Sequence, residues 1–276
     1  MNPGSIPTRL AALATILAAI ASAAGLVIPG LYRDTPYWVE QARGTDLATL
    51  FVAVPVLALG LWAAARGSSA GRLAVVGGLL YLVYNYTIFA FSVVMNPLTS
   101  LHIGITGLAL WSLVLGAQTE DIARAGAAVV ERLARRASAA LLIGVAALFG
   151  LLWLGQIATA TASGLMPPDL ARAGIPTNPV YALDLAFFLP LCAVVGIGLI
   201  RRNRAAAFAL TMLIWVPLMG AGVLGGFVLA AVAGEEVPTA VIAVIGGVSL
   251  ISAILAAVPL VRHVSGGVNL TAPTAA

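Results

Sequence analysis

Residues 10–28 read LAALATILAAIASAAGLVI, nineteen residues without a charge. A helix of that length, at about 1.5 Å per residue, reaches roughly 28 Å, the thickness of a bilayer's hydrocarbon core. Seven more apolar runs follow, at 47–65, 73–94, 99–117, 139–161, 180–200, 205–232 and 240–261. Short open strands cannot cross lipid, because their backbone groups would stay unpaired. The expected fold is therefore all-α: an integral membrane bundle of eight transmembrane helices.

Composition points the same way. Hydrophobic residues make up 61% of the 276-residue chain and charged residues 9%, whereas a soluble domain carries about 25% charged residues. The basic residues are all arginine, fourteen of them. With eight spans the termini share a side, and eleven arginines fall there: Arg9, Arg66, Arg72, Arg124, Arg132, Arg135, Arg136, Arg201, Arg202, Arg204 and Arg262. Only Arg33, Arg43 and Arg172 fall opposite. The positive-inside rule then puts both termini in the cytoplasm. The net charge of +4 reflects this basic face and gives no reason to expect a nucleic-acid partner. Arg9 and the small residues Ala21-Ser22-Ala23 resemble a signal peptide, but the apolar run continues to Ile28, which favours a retained span.

Asp46-Leu47-Ala48 and Asp184-Leu185-Ala186 lie 138 residues apart, half the chain. Gly60-Leu61 and Gly198-Leu199 keep that offset, as do Arg66 and Arg204. The spacing predicts a tandem 4+4 parallel repeat, with units at 1–117 and 138–276 joined by a cytoplasmic linker at 118–137. In the linker Ile122, Ala125, Val129, Val130 and Leu133 keep helical spacing, as expected of a helix lying on the inner leaflet. Four helices per unit is an even number, so the units enter the membrane in the same sense, an arrangement found in some transporters. Pro55, Pro190 and Pro217 lie inside spans and predict kinks. Gly222 and Gly226 form a G-x-x-x-G match, read as tight internal packing.

Polar residues inside the spans are the candidates for chemistry. The third span carries Tyr81, Tyr84, Asn85, Tyr86 and Thr87, with Gly78, Tyr81, Asn85 and Ser92 on one helical face. Asn96 continues the stripe, His102 and Thr106 follow, and Gln156 and Thr159 form a smaller patch. An intramembrane carboxylate is expensive and points to function. Asp46 and Asp184 are thus candidates for proton or cation coupling, with Tyr81, Asn85, Asn96, His102 and Gln156 as candidates to line one outward-facing polar cavity.

Each has a structural alternative. Asp46 follows Gly44-Thr45 and could cap a helix or pair with Arg43. Thr177-Asn178-Pro179 is itself a helix start, which leaves Asp184 in the second turn and favours a functional role there. His102 alone reads as a hydrogen-bonded structural residue. Glu235-Glu236 reads as a solvated turn, and Tyr32, Tyr37, Trp38 and Tyr181 as an interfacial aromatic belt. Zinc-protease, phosphate-loop and dinucleotide motifs are missing, and Cys192 is the single cysteine, so no metal or cofactor is expected.

The stretches 31–46 and 176–184 resemble segments of uncharacterised polytopic membrane proteins of high-GC bacteria. The resemblance implies a bacterial cytoplasmic membrane location and no particular activity. The leading reading is a transporter-like protein with membrane lipid around it and a small molecule or ion as ligand. The alternatives are a membrane-embedded enzyme acting on a lipid or isoprenoid, with Asp184 or His102 as acid or base, and a non-catalytic assembly or sensor protein.

Overall fold

A computed structural model describes residues 4–117 and 133–268. The expected linker helix lies almost wholly outside the described residues. Helix α1 covers Ile6–Val27, α2 Pro36–Ala65, α3 Ser69–Ser92, α4 Thr99–Ala117 and α5 Arg135–Ser163. A short α6, Pro168–Ala173, precedes α7 at Pro179–Arg201, α8 at Arg204–Val232 and α9 at Thr239–Val268. Among the described residues there is no strand, and eight of the helices are long and apolar enough to cross a membrane. The apolar side chains left exposed, such as Ile16, Ile20, Leu59, Leu151 and Ile254, form the surface such helices turn to lipid.

Helix starts follow local chemistry. Asn178 caps α7, its side chain accepting from the Val180 N–H at 2.9 Å, with Pro179 in the first turn. The same device, Thr35 followed by Pro36, starts α2. That start is eleven residues earlier than the apolar run at 47–65 suggests. The polar stretch from Pro36 to Thr45 is therefore helix, and Asp46 lies well inside α2 rather than at its cap.

Both α2 and α7 contain a widened turn, a π-helical segment at Thr49–Ala53 and at Asp184–Phe188. In each, proline follows two residues later, Pro55 and Pro190. Proline lacks an N–H and its ring crowds the preceding turn, so the ladder there slips to i→i+5 bonding. The Val54 N–H reaches the Thr49 carbonyl, and the Leu189 N–H reaches Asp184.

The first four long helices close a ring, each packed on the next and α4 back on α1. The other four do not. Helices α5 and α7 form one pair and α8 and α9 another. Helix α8 packs mainly against α2, α3 and α9, and is buried all round along 209–216. Helix α9 leans on α8 and touches α5 only lightly. Glycine sets the α2–α8 seam: Gly44 lies directly on the backbone of Gly225 and Gly226. The G-x-x-x-G match thus serves internal packing, as expected. The gap between the α5–α7 and α8–α9 pairs is where the candidate site lies.

Candidate functional site

The cavity between these pairs has a volume of about 630 Å3. Its walls come from α2, α3, α5, α7, α8 and α9, and α6 and the turn before α9 lie at its mouth. Asp184 lies on the wall. The Tyr84 hydroxyl donates to its Oδ1 at 2.9 Å, and the Trp153 indole N–H donates to its Oδ2 at 2.8 Å. These donors come from α3 and α5, so one carboxylate ties three helices together.

Two i, i+3 pairs on facing helices cross-bond. Trp153 and Gln156 follow one another on α5, as do Tyr181 and Asp184 on α7. Trp153 reaches Asp184, and the Tyr181 hydroxyl donates to the Gln156 carbonyl. The Trp153 and Tyr181 rings stack between them, centroids 4.8 Å apart. On the other side, the edge of Tyr84 meets Phe188 at 4.8 Å, and Phe188 stacks on Trp215 at 4.7 Å. Tyr84 and Trp153 thus present their polar edges to Asp184, with further rings packed behind them.

The mouth is held by ions. Arg172 pairs with the Glu235 carboxylate and donates to the Glu236 carbonyl at 2.8 Å. Its guanidinium also lies over the Tyr37 ring, 4.3 Å from the centroid. This links α6 to the turn before α9, so Glu235 is paired rather than merely solvated.

Of the candidates drawn from sequence, Asn85, Gln156 and Asp184 line the cavity. Asp46, Tyr81, Asn96 and His102 do not, and the expected single polar cavity holding both aspartates is corrected. Helix rotation is the reason. Asp46 points toward α1, where Gly25 leaves room for its carboxylate, and the Tyr32 hydroxyl donates to Oδ2 at 2.6 Å. Burial first, and then the Asp46 charge, push the Tyr32 phenol far above its ordinary value, so it remains a donor. Arg43 pairs with Glu40 at 3.4 Å instead. Tyr81 pins α3 to the widened turn of α2 through Thr49, oxygen to oxygen 2.7 Å. Asn96 shapes the turn before α4, accepting from the Leu98 N–H at 2.8 Å and donating to the Val94 carbonyl at 3.1 Å. His102 packs against Tyr86 and Phe89, with neither ring nitrogen hydrogen-bonded among the described residues. The expectation of a hydrogen-bonded histidine is thus not met.

Removing one of the Asp46 contacts has a predictable cost. Tyr32→Phe deletes a buried hydrogen bond to a carboxylate, worth about 1–3 kcal/mol. Thermal unfolding in detergent should show a clearly lowered Tm. An unchanged Tm would contradict the burial assigned to this pair.

The cavity-wall aromatics Trp153, Tyr181 and Trp215 were not singled out as site residues by sequence reasoning, and Tyr84 only within the polar run of the third span, although the i, i+3 spacing of Trp153 with Gln156 and of Tyr181 with Asp184 was readable there. Among the described residues no group of three His, Cys, Asp or Glu side chains could hold a metal ion. Compared with protein-family models, with curated proteins and with solved structures, the chain matches none.

Proposed function

We propose that this is a transporter-like membrane protein that admits a small ligand to the cavity between its α5–α7 and α8–α9 pairs, with Asp184 as the acidic centre pairing with a cation or proton. One observation carries the reading: a carboxylate stands on the wall of a ligand-sized cavity, held by two neutral donors. No arginine pairs with it among the described residues. A charge in such surroundings needs a partner. Cavities of about 300–1,000 Å3 accept drug-sized molecules. Asp46 has no part in this reading, because its carboxylate is engaged by Tyr32 away from the cavity.

We also read the halves as diverged copies of one unit in a bacterial cytoplasmic membrane, with both termini inside. The shared Asp, widened turn and proline support duplication. The two signals differ in register, however. The aspartates match at an offset of 138, whereas Thr49–Ala53 and Asp184–Phe188 match at 135. Asp46 precedes its turn and Asp184 opens its own, nearly one helical turn later. That shift accounts for only Asp184 serving the cavity.

The test uses proteoliposomes on a solid-supported membrane, challenged with a panel of cationic, anionic, zwitterionic and neutral metabolites. At least one class should displace charge and should also protect a cysteine at Ile245, on the cavity wall, from a thiol reagent. Asp184→Asn should lose the charge displacement. A panel that neither moves charge nor protects Ile245→Cys would remove the reading. In intact cells an impermeant reagent should label Leu165→Cys and spare Ser68→Cys; the reverse pattern would invert the orientation.

A further inference from the structure

We infer that the cavity binds an organic cation, a hydrophobic amine or quaternary ammonium ion whose charged nitrogen sits between Asp184 and the rings around it. The inference rests on the reading of the cavity as a ligand site and adds the ligand's chemistry.

Charge selects the sign. The charged side chains on the cavity wall are Asp169, Asp184, Glu236 and Arg172. The one cation among them is already engaged by Glu235 and by the Glu236 carbonyl. An anion entering this space would meet carboxylates with no free arginine to receive it. A neutral ligand would leave Asp184 without a countercharge in a poorly hydrated site. A carboxylate has about four lone-pair positions, and Tyr84 and Trp153 occupy one on each oxygen. Each oxygen therefore keeps a lone pair free, which a protonated amine can meet with an N–H and a quaternary ion can meet through charge alone.

The rings select an organic cation over a bare metal ion. Hard metal ions require several oxygen ligands, whereas Asp184 offers one carboxylate among indole and phenol rings. Tyr84, Trp153, Tyr181 and Trp215 all line the cavity. Aromatic faces attract a desolvated ammonium and favour a charge spread over alkyl groups. The rest of the wall, including Val145, Phe149, Val241 and Ile245, is apolar. It suits a hydrophobic body attached to the charged nitrogen.

Tetraphenylphosphonium and tetraphenylborate test this directly, because they share size and shape and differ in sign. Binding is measured by equilibrium dialysis on the full-length protein in lipid nanodiscs, with empty nanodiscs subtracted. Tryptophan fluorescence is a second readout, since Trp153 and Trp215 line the cavity. The wild type should bind the cation at least tenfold more tightly than the anion. Asp184→Asn should erase that preference, and Trp215→Leu should weaken the cation several-fold. The wild-type comparison stands even if a variant fails to fold. Equal or tighter binding of the borate would overturn the cation assignment and leave the cavity a ligand site. Undiminished cation binding by Asp184→Asn would overturn it as well. If neither probe binds while Ile245→Cys is protected by another ligand class, the cation assignment falls alone. If nothing protects Ile245→Cys, the ligand-site reading falls with it.

Discussion

Gly44→Leu should leave little folded protein to purify, and Gly225→Leu should behave alike. A Cβ at Gly44 would fall on the backbone of Gly225 and Gly226, and one at Gly225 would fall on the Gly44 carbonyl. A side chain in the way can rotate; a backbone cannot. Either substitution must therefore push α2 from α8, the seam that joins the two halves. Overpacking a well-filled core typically costs about 1–3 kcal/mol and occasionally more. Here the clash is with main chain, so the upper end is expected. A whole domain is stable by only about 5–15 kcal/mol. Gly104→Leu is the control, because nothing lies within 4 Å of a Cβ built there. Size-exclusion profiles and thermal melts in detergent should show Gly104→Leu like wild type and both seam variants aggregated or strongly destabilised. A Gly44→Leu protein melting at the wild-type temperature would mean the helices do not meet as described.

The membrane class and the eight spans were legible because length and hydropathy suffice for them. An apolar run near twenty residues has few other uses in a chain with 9% charged residues. Helix boundaries were legible only where a cap signal was weighed. Asn178-Pro179 was read as a start and is one. Thr35-Pro36 is the same signal, but the polar sequence after it, with Glu40, Gln41 and Arg43, looked like loop. Those polar residues are tolerated because this end of α2 packs under α6 and α8 rather than against lipid.

The site was half legible for a different reason. Asp184, Gln156 and Asn85 stood out as polar residues in apolar helices, and all three line the cavity. Asp46 stood out equally, yet it faces Tyr32. Which way a polar residue points depends on helix rotation, and here on a proline-linked widened turn that shifts the register of α2 and α7. Neither follows from counting residues. Tyr181 was passed over because Trp and Tyr in a membrane chain have an ordinary interfacial role. What separates Tyr181 from a belt residue is its spacing to Asp184 and the matching spacing of Trp153 to Gln156, each hydroxyl or indole N–H finding an acceptor on the opposite helix.

Replacing Asp184 should separate its structural duty from its charge. In Asp184→Leu the Tyr84 hydroxyl and the Trp153 N–H both lose their acceptor. The buried Tyr84 donor left unpaired costs about 1–3 kcal/mol and the part-buried Trp153 N–H less, so the variant should be clearly destabilised and lose the α3–α5–α7 tie. Asparagine is gentler. Indole can only donate, so the amide carbonyl must turn toward Trp153. The amide NH2 then faces Tyr84, whose oxygen can accept as well as donate. One hydrogen bond to each partner survives, and only the Tyr84 proton is left without a place, a loss near the lower end of about 1–3 kcal/mol because the Tyr84 oxygen still accepts. Asp184→Asn should therefore fold, melt slightly below wild type, and bind a cationic ligand at least tenfold more weakly. The contrast is the test. If Asn and Leu lower the Tm equally, the carboxylate acts chiefly through its charge in folding. If Asn leaves both Tm and ligand binding untouched, Asp184 is a hydrogen-bonding post between helices, and the cavity's chemistry must be sought in the remaining wall residues.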